Sequence, residues 1–227
     1  MGMRLFVVLV CAHILGDFLF QTKKMAQNKN RLSVLFLHSA IHGILVYFLV
    51  GQLQLWPLAL LVFVVHAVVD FVKQKNQETL KVFLIDQAVH IGFLWVFAFN
   101  FFRNEMVVRT DTFYSGLVLV SGFVAVVFGS GIVVEKVAKG LVEKDKLEVG
   151  GLDGGGRLIG QLERALIFLF VLIGQPAGIG FLVAAKSILR FKESENQKLA
   201  EYVLIGTLLS FGLAMALSVV TLKGLCF

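Results

Sequence analysis

All five histidines of this 227-residue chain fall within its first ninety residues, and each stands four residues from a second group able to bind a metal. The pairs are His13 with Asp17, His38 with His42, His66 with Asp70, and Asp86 with His90. Residues four apart share one face of a helix, so each pair offers two donors on one stripe. Imidazole and carboxylate without thiolate suit a divalent ion, zinc first, with Mn, Fe, Ni or Co as alternatives, and argue against Cu(I). Eight donors exceed one tetrahedral site, so either two ions bind or part of the set orients the rest. Gln21, Gln74 and Gln87 stand beside the pairs and are candidates to support ligands by hydrogen bonds. Asp17, Asp70 and Asp86 could be ligands or the general base beside a metal. A His-Glu-x-x-His helix is absent, which excludes a standard zinc-protease motif.

The elements that must carry these groups are membrane helices. Hydrophobic residues make up 58% of the chain and charged ones only 16%, with a mean hydropathy of +0.86. Soluble domains sit near 45–50% and about 25%. Apolar stretches of spanning length fall at about 4–20, 32–53, 56–73, 79–102, 113–135, 158–174 and 200–222. A shorter one at about 176–190 opens on Pro176 and contains Gly178 and Gly180. The fold class is all-α, a polytopic transmembrane bundle of eight spans, or seven if the short segment is re-entrant. His13 and Asp17 interrupt the first apolar run and no small-residue cleavage site follows, so it reads as a retained helix. Cys11 lies in that span and Cys226 at the far end of the chain, an arrangement suited neither to a structural disulfide nor to a thiolate metal site.

Orientation follows from the basic residues. Lys23, Lys24, Lys29, Arg31, Lys73, Lys75 and Lys81 lie in the first connections on one side, followed there by Lys136, Lys139, Lys144, Lys146, Arg157, Arg190, Lys192 and Lys198. The other side holds Arg4, Arg103, Arg109 and Lys223. Fifteen against four places the basic loops in the cytoplasm and both termini outside. The net charge of +6 then faces anionic lipid and calls for no nucleic-acid partner.

On this orientation His13, His38, His66 and Asp86 all lie about seven residues, roughly 10 Å, from the cytoplasmic ends of their helices. The layer also repeats. His13-x-x-x-Asp17-Phe18-x-x-Gln21 matches His66-x-x-x-Asp70-Phe71-x-x-Gln74, and His38-Ser39-Ala40-Ile41-His42 matches Asp86-Gln87-Ala88-Val89-His90. The first four spans therefore read as two copies of one helical hairpin, related about an axis along the membrane normal. An Asp at mid-membrane costs about 2.5–3.5 kcal/mol, and a bound cation would offset three of them. A structural His–Asp hydrogen-bond network and a proton relay are the competing readings.

The chain divides into a His/Asp-rich four-helix domain, 1–104, and a C-terminal membrane domain, 105–227, of three to four helices. The latter holds a cytoplasmic loop at about 136–157 ending in Gly150-Gly151-Leu152-Asp153-Gly154-Gly155-Gly156-Arg157. Glycines before a helix can cradle phosphate, but no strand precedes them and a flexible linker is the simpler reading. Arg164, Lys186 and Arg190 are candidates to bind an anion, or else to pair with Glu163 and Glu201 and close the bundle. Gly160, Gly206 and Gly212 read as helix-packing positions.

The His13-x-x-Gly16-Asp17-Phe18-x-x-Gln21 start, the three later pairs and the segment from Lys186-Ser187 to Glu201-Tyr202 resemble a bacterial inner-membrane family known as domain-of-unknown-function family 3307. The resemblance is strongest over about 1–100. It implies a location in the bacterial inner membrane and no particular activity. The intramembrane His/Asp pattern is also similar in style to membrane-bound metal-dependent hydrolases. Three functions fit. The first is a metal-dependent hydrolase or transferase at the cytoplasmic leaflet, acting on an anionic lipid or lipid-linked phosphate. The second is a membrane anchor or partner-binding module with a structural metal. The third is a metal-ion or proton transporter, against which stand the apolar outer stretches Leu5–Val10 and Phe93–Phe99.

Overall fold

The structure is a computed structural model that describes residues 2–28, 30–76, 78–102, 110–145, 154–191 and 197–227. Every regular element among the described residues is helical. Helix α1 (Gly2–Leu15) runs into a π-helical turn, Gly16–Phe20. A short α2 (Lys23–Gln27) follows, begun by Thr22, whose hydroxyl accepts from the Met25 amide at 3.2 Å. Helix α3 (Leu32–Val50) stops at Gly51, whose φ of 75° lies in the left-handed region that glycine adopts without steric cost. Helix α4 (Trp56–Lys73) starts with Pro57 in its first turn, where the missing amide hydrogen is unneeded. Helix α5 (Leu80–Val96) is capped by Thr79 and continues into a second π turn, Phe97–Phe101. Next come α6 (Asp111–Val124), a third π turn (Ala125–Gly129), α7 (Ser130–Asp145), α8 (Gly155–Leu172), α9 (Pro176–Phe191) and α10 (Gln197–Gly224).

Six helices among the described residues are long and apolar enough to cross a bilayer: Gly2–Phe20, Leu32–Val50, Leu53–Lys73, Leu80–Phe101, Asp111–Val142 and Ala200–Gly224. Eight crossings are expected from the sequence. The remaining two differ for physical reasons: α8 carries Arg157, Glu163 and Arg164 in 18 residues, and the apolar part of α9, Pro176–Ile188, is short. At 1.5 Å per residue the 16 residues of α9 reach about 24 Å, less than the roughly 30 Å hydrocarbon core. The loop expected over 136–157 begins later than its charges suggest, because α7 continues to Asp145. Glu135 holds Lys139 one turn on and also Arg157, each at 2.8 Å. Residues 146–153, with the first glycines of the Gly-rich run, lie outside the described residues.

Two compact units divide the chain, Met1–Ser121 with Gly224–Phe227, and Gly122–Lys223. In the first, α1 packs on α3 and α5, and α4 packs on α3 and α5, so the four helices form a closed ring. Polarity is arranged as lipid requires. His13, His38, His42, His66, Asp70, Asp86 and His90 are buried, whereas Phe36, Phe48, Leu60, Val68, Leu84 and Trp95 are exposed. Gly43 lets α3 approach α4: a Cβ there would sit 3.1 Å from the Ala59 carbonyl oxygen. Away from the His layer the ring is filled by Leu5, Val8, Leu9, Val46, Val50 and Leu58. Arg4 pairs with Asp111 and lies 4.5 Å from the centre of the Tyr114 ring, and Tyr114 donates to the Gly224 carbonyl at 2.9 Å.

The second unit has its own core of Val126, Ile167, Phe168, Ile179, Phe211 and Ala214. Gly122 makes room for Thr221 of α10 and Gly160 for the Arg164 guanidinium. Gly206 and Gly212, expected at helix contacts, instead have open space where a Cβ would stand.

Candidate metal centre

The α1–α3–α4–α5 ring brings the histidines of four separate helices onto one axis. His42 and His66 stack with ring centroids 3.6 Å apart, His66 and His90 lie at 4.3 Å, and His38 is 4.9 Å from both His42 and His66. Asp17 joins them because α1 widens into its π turn at Gly16, and such turns re-aim the residues they contain. The same glycine is sterically required. A Cβ on Gly16 would stand 2.6 Å from His42 Nε2 and 2.7 Å from Nδ1, inside the ring's van der Waals envelope. The Gly-Asp step of the first motif thus admits His42 with its glycine and supplies a donor with its aspartate.

Two overlapping donor groups result. Asp17, His38, His42 and His66 form one, and His66, Asp70 and His90 the other, with the ligand atoms of each group all within 4.8 Å of one another. In the first group His38 Nε2 is 3.1 Å from His66 Nε2, and Asp17 Oδ1 is 3.2 Å from His38 Nε2, 3.3 Å from His42 Nε2 and 3.7 Å from His66 Nε2. Metal–ligand bonds of about 2.0–2.2 Å give a tetrahedron with edges of about 3.3–3.6 Å. The four distances bracket that range. Asp17 Oδ1 and His42 Nε2 are also buried without a hydrogen bond. A buried polar atom left unpaired costs about 1–3 kcal/mol, and a cation at the centre of the group would satisfy both. The donor set therefore fits a tetrahedral divalent ion.

The neighbouring residues fix which nitrogens face inward. His90 donates from Nδ1 to the Asp86 carbonyl at 2.9 Å, which leaves its buried Nε2 with a lone pair and no hydrogen-bond partner. His13 is different. Its Nε2 donates to Gln87 Oε1 at 3.2 Å, and Gln87 in turn donates to Asp17 Oδ2 at 2.9 Å. His13 therefore stands beside the donor groups and holds Gln87 rather than facing the centre. Gln21 places its amide nitrogen 3.2 Å from His38 Nε2. Gln74 keeps a buried amide nitrogen with no hydrogen-bond partner. Asp86, at the position that His38 occupies in the first hairpin, accepts from Lys73 Nζ at 2.7 Å. From the sequence alone Lys73 counts only as a loop cation. Its place three residues after Asp70, on the same helix face, is the clue that could have found it.

Two of the predicted anion-binding cations, Arg164 and Lys186, are engaged within the second unit. Arg164 donates from Nε and Nη2 to the Val127 carbonyl at 3.1 and 2.9 Å and from Nη1 to Ser210 Oγ at 3.2 Å. That carbonyl belongs to the π turn Ala125–Gly129. Lys186 donates to Glu163 at 2.7 Å. Lys186–Glu163 is one of the bundle-closing pairs expected from the sequence, whereas Arg164 holds a backbone carbonyl and a hydroxyl rather than either glutamate. The side chain of Arg190 lies outside the described residues.

A cavity of about 10 Å³ touches His13, His42, His66 and His90 and is otherwise walled by apolar residues, among them Leu9 and Phe97. That is room for about one water. No curated protein and no solved structure matches the chain. Residues 5–118, which include all eight His and Asp donors, match the family described as protein of unknown function, DUF3307, and the chain belongs to that family.

Proposed function

We propose that this membrane protein holds a divalent transition-metal ion among Asp17, His38, His42 and His66. One observation carries the reading: four donor atoms, Asp17 from the π turn after α1 and three histidines from α3 and α4, stand at the spacing of a tetrahedral coordination shell, two of them making no hydrogen bond. Imidazole and carboxylate donors make zinc the leading ion, with Mn, Fe, Ni or Co as competitors. Four protein ligands are the pattern of a closed site, whereas catalytic zinc keeps one position open. The function supported best is therefore metal holding by a bacterial inner-membrane protein whose basic loops face the cytoplasm and whose termini face outward.

A hydrolase or transferase acting on an anionic lipid or lipid-linked phosphate is the second reading, and one feature favours it. The Asp17 side chain is 10% exposed, against 0–2% for His38, His42 and His66. It is the ligand that an incoming oxygen could displace, with Asp17 or Asp70 then serving as base. Loading with cobalt tests the first reading. The four-coordinate site predicts the intense visible absorption of tetrahedral Co(II), lost in His66→Ala. Failure of the folded wild type to take up cobalt or zinc would overturn it. For the second reading, an Asp17→Asn variant that turns over phospholipid or lipid-linked phosphate as fast as wild type would remove it.

A further inference from the structure

The two hairpin copies do not end as equivalent half-sites, because particular residues break the symmetry between them. Exchanging the copies maps the first donor group, Asp17, His38, His42 and His66, onto Asp70, Asp86, His90 and His13. Locally the copies agree: His13 Nε2 lies 3.6 Å from Asp17 Oδ2, and His66 Nε2 lies 3.7 Å from Asp70 Oδ2. They part at several positions, His38 against Asp86 within the donor set and Gly16 against Val69 beside it, and two further differences engage the second copy's donors. Phe20 in the first copy corresponds to Lys73 in the second, and Ser39 to Gln87. Lys73 turns its ammonium inward to Asp86, whose side chain is 3% exposed, instead of extending to the membrane surface as a lysine at a helix end can. Gln87 occupies the Nε2–H of His13. Two of the four donors of the symmetric site are thereby taken.

Resting on the metal-holding reading, we infer that the Lys73 ammonium substitutes for a second metal ion, so that the centre is mononuclear by construction. Charge supports this. Asp17, Asp70 and Asp86 bring three negative charges into the ring. One ammonium and one divalent cation balance them, whereas two divalent cations beside Lys73 would leave two positive charges in excess, a costly arrangement at this depth. Lys73 is thus a determinant of metal number, and Asp70, Asp86, His90 and His13, the counterparts of the first donor group, are a latent second site.

The test counts metal per chain in detergent-purified wild type, in Lys73→Met, and in Lys73→Met combined with Asp86→His. The double variant removes the carboxylate that Lys73 neutralises and gives the second copy the residue of the first, so it remains informative if the single variant fails to fold. The expected result is about one zinc in wild type and about two in a folded variant, with the second lost on adding His90→Ala. Folded variants that stay at about one, or a wild type that already holds about two, would overturn the inference while leaving metal holding intact. A wild type that takes up no metal would instead defeat the metal-holding reading itself.

Discussion

Replacing Gly16 with alanine separates the site from the scaffold that carries it. The added Cβ would stand 2.6–2.7 Å from the two ring nitrogens of His42, where ordinary contact is 3.4–4 Å. The ring must therefore recede by about 1 Å, several times the ~0.2 Å tolerance of a metal–ligand bond. Mutating a residue that merely supports a ligand weakens metal binding by about 10–100-fold, or about 1.4–2.7 kcal/mol, so displacing the ligand itself should cost at least as much. The scaffold itself changes less. Alanine gains about 1 kcal/mol over glycine as a helix former, against about 1–3 kcal/mol for an overpacked contact, so the metal-free variant should melt within a few degrees of wild type. Gly92, with nothing within 4 Å of its would-be Cβ, is the control. Competition for zinc against a chromophoric chelator should show the loss in Gly16→Ala and not in Gly92→Ala. A Gly16→Ala protein that binds zinc within twofold of wild type would refute the placement of His42 in the shell.

Other consequences are open to measurement. Arg164→Lys loses the fork that holds the Val127 carbonyl and should destabilise the protein by about 1–3 kcal/mol; thermal unfolding in detergent reads it, and an unchanged midpoint would show that the fork is dispensable. Tyr114→Phe removes the bond to the Gly224 carbonyl, an expected loss of about 0.5–1.5 kcal/mol by the same assay. A C-terminal alkaline phosphatase fusion should be active and one inserted within 146–153 inactive, if the basic loops are cytoplasmic. The reverse pattern would invert the topology.

The His layer was legible in the sequence because i,i+4 spacing is a local property, and an apolar span makes every buried imidazole and carboxylate conspicuous. Helix positions were legible for the same reason: α3 starts at Leu32 and α5 at Leu80, where apolar patterning puts them. Other features depend on contacts between helices. The π turn at Gly16–Phe20 decides that Asp17 meets His38 and His42, and no residue-spacing rule marks a π turn. Gln87 removes His13 from the donor groups through a hydrogen bond spanning 74 residues of sequence. Lys73 counted as a loop cation until packing turned it toward Asp86. The continuation of α7 through Glu135 and Lys139 was hidden because a charged helix beyond an apolar run resembles a loop in composition alone.

Elemental analysis of purified protein, comparing wild type with His42→Ala/His66→Ala, tests the central claim most directly. The account predicts stoichiometric zinc or another divalent transition metal in wild type and little in the double variant, with both proteins folded. Absence of metal from a folded wild type, even after incubation with excess zinc, would contradict it and leave a structural His–Asp network in its place.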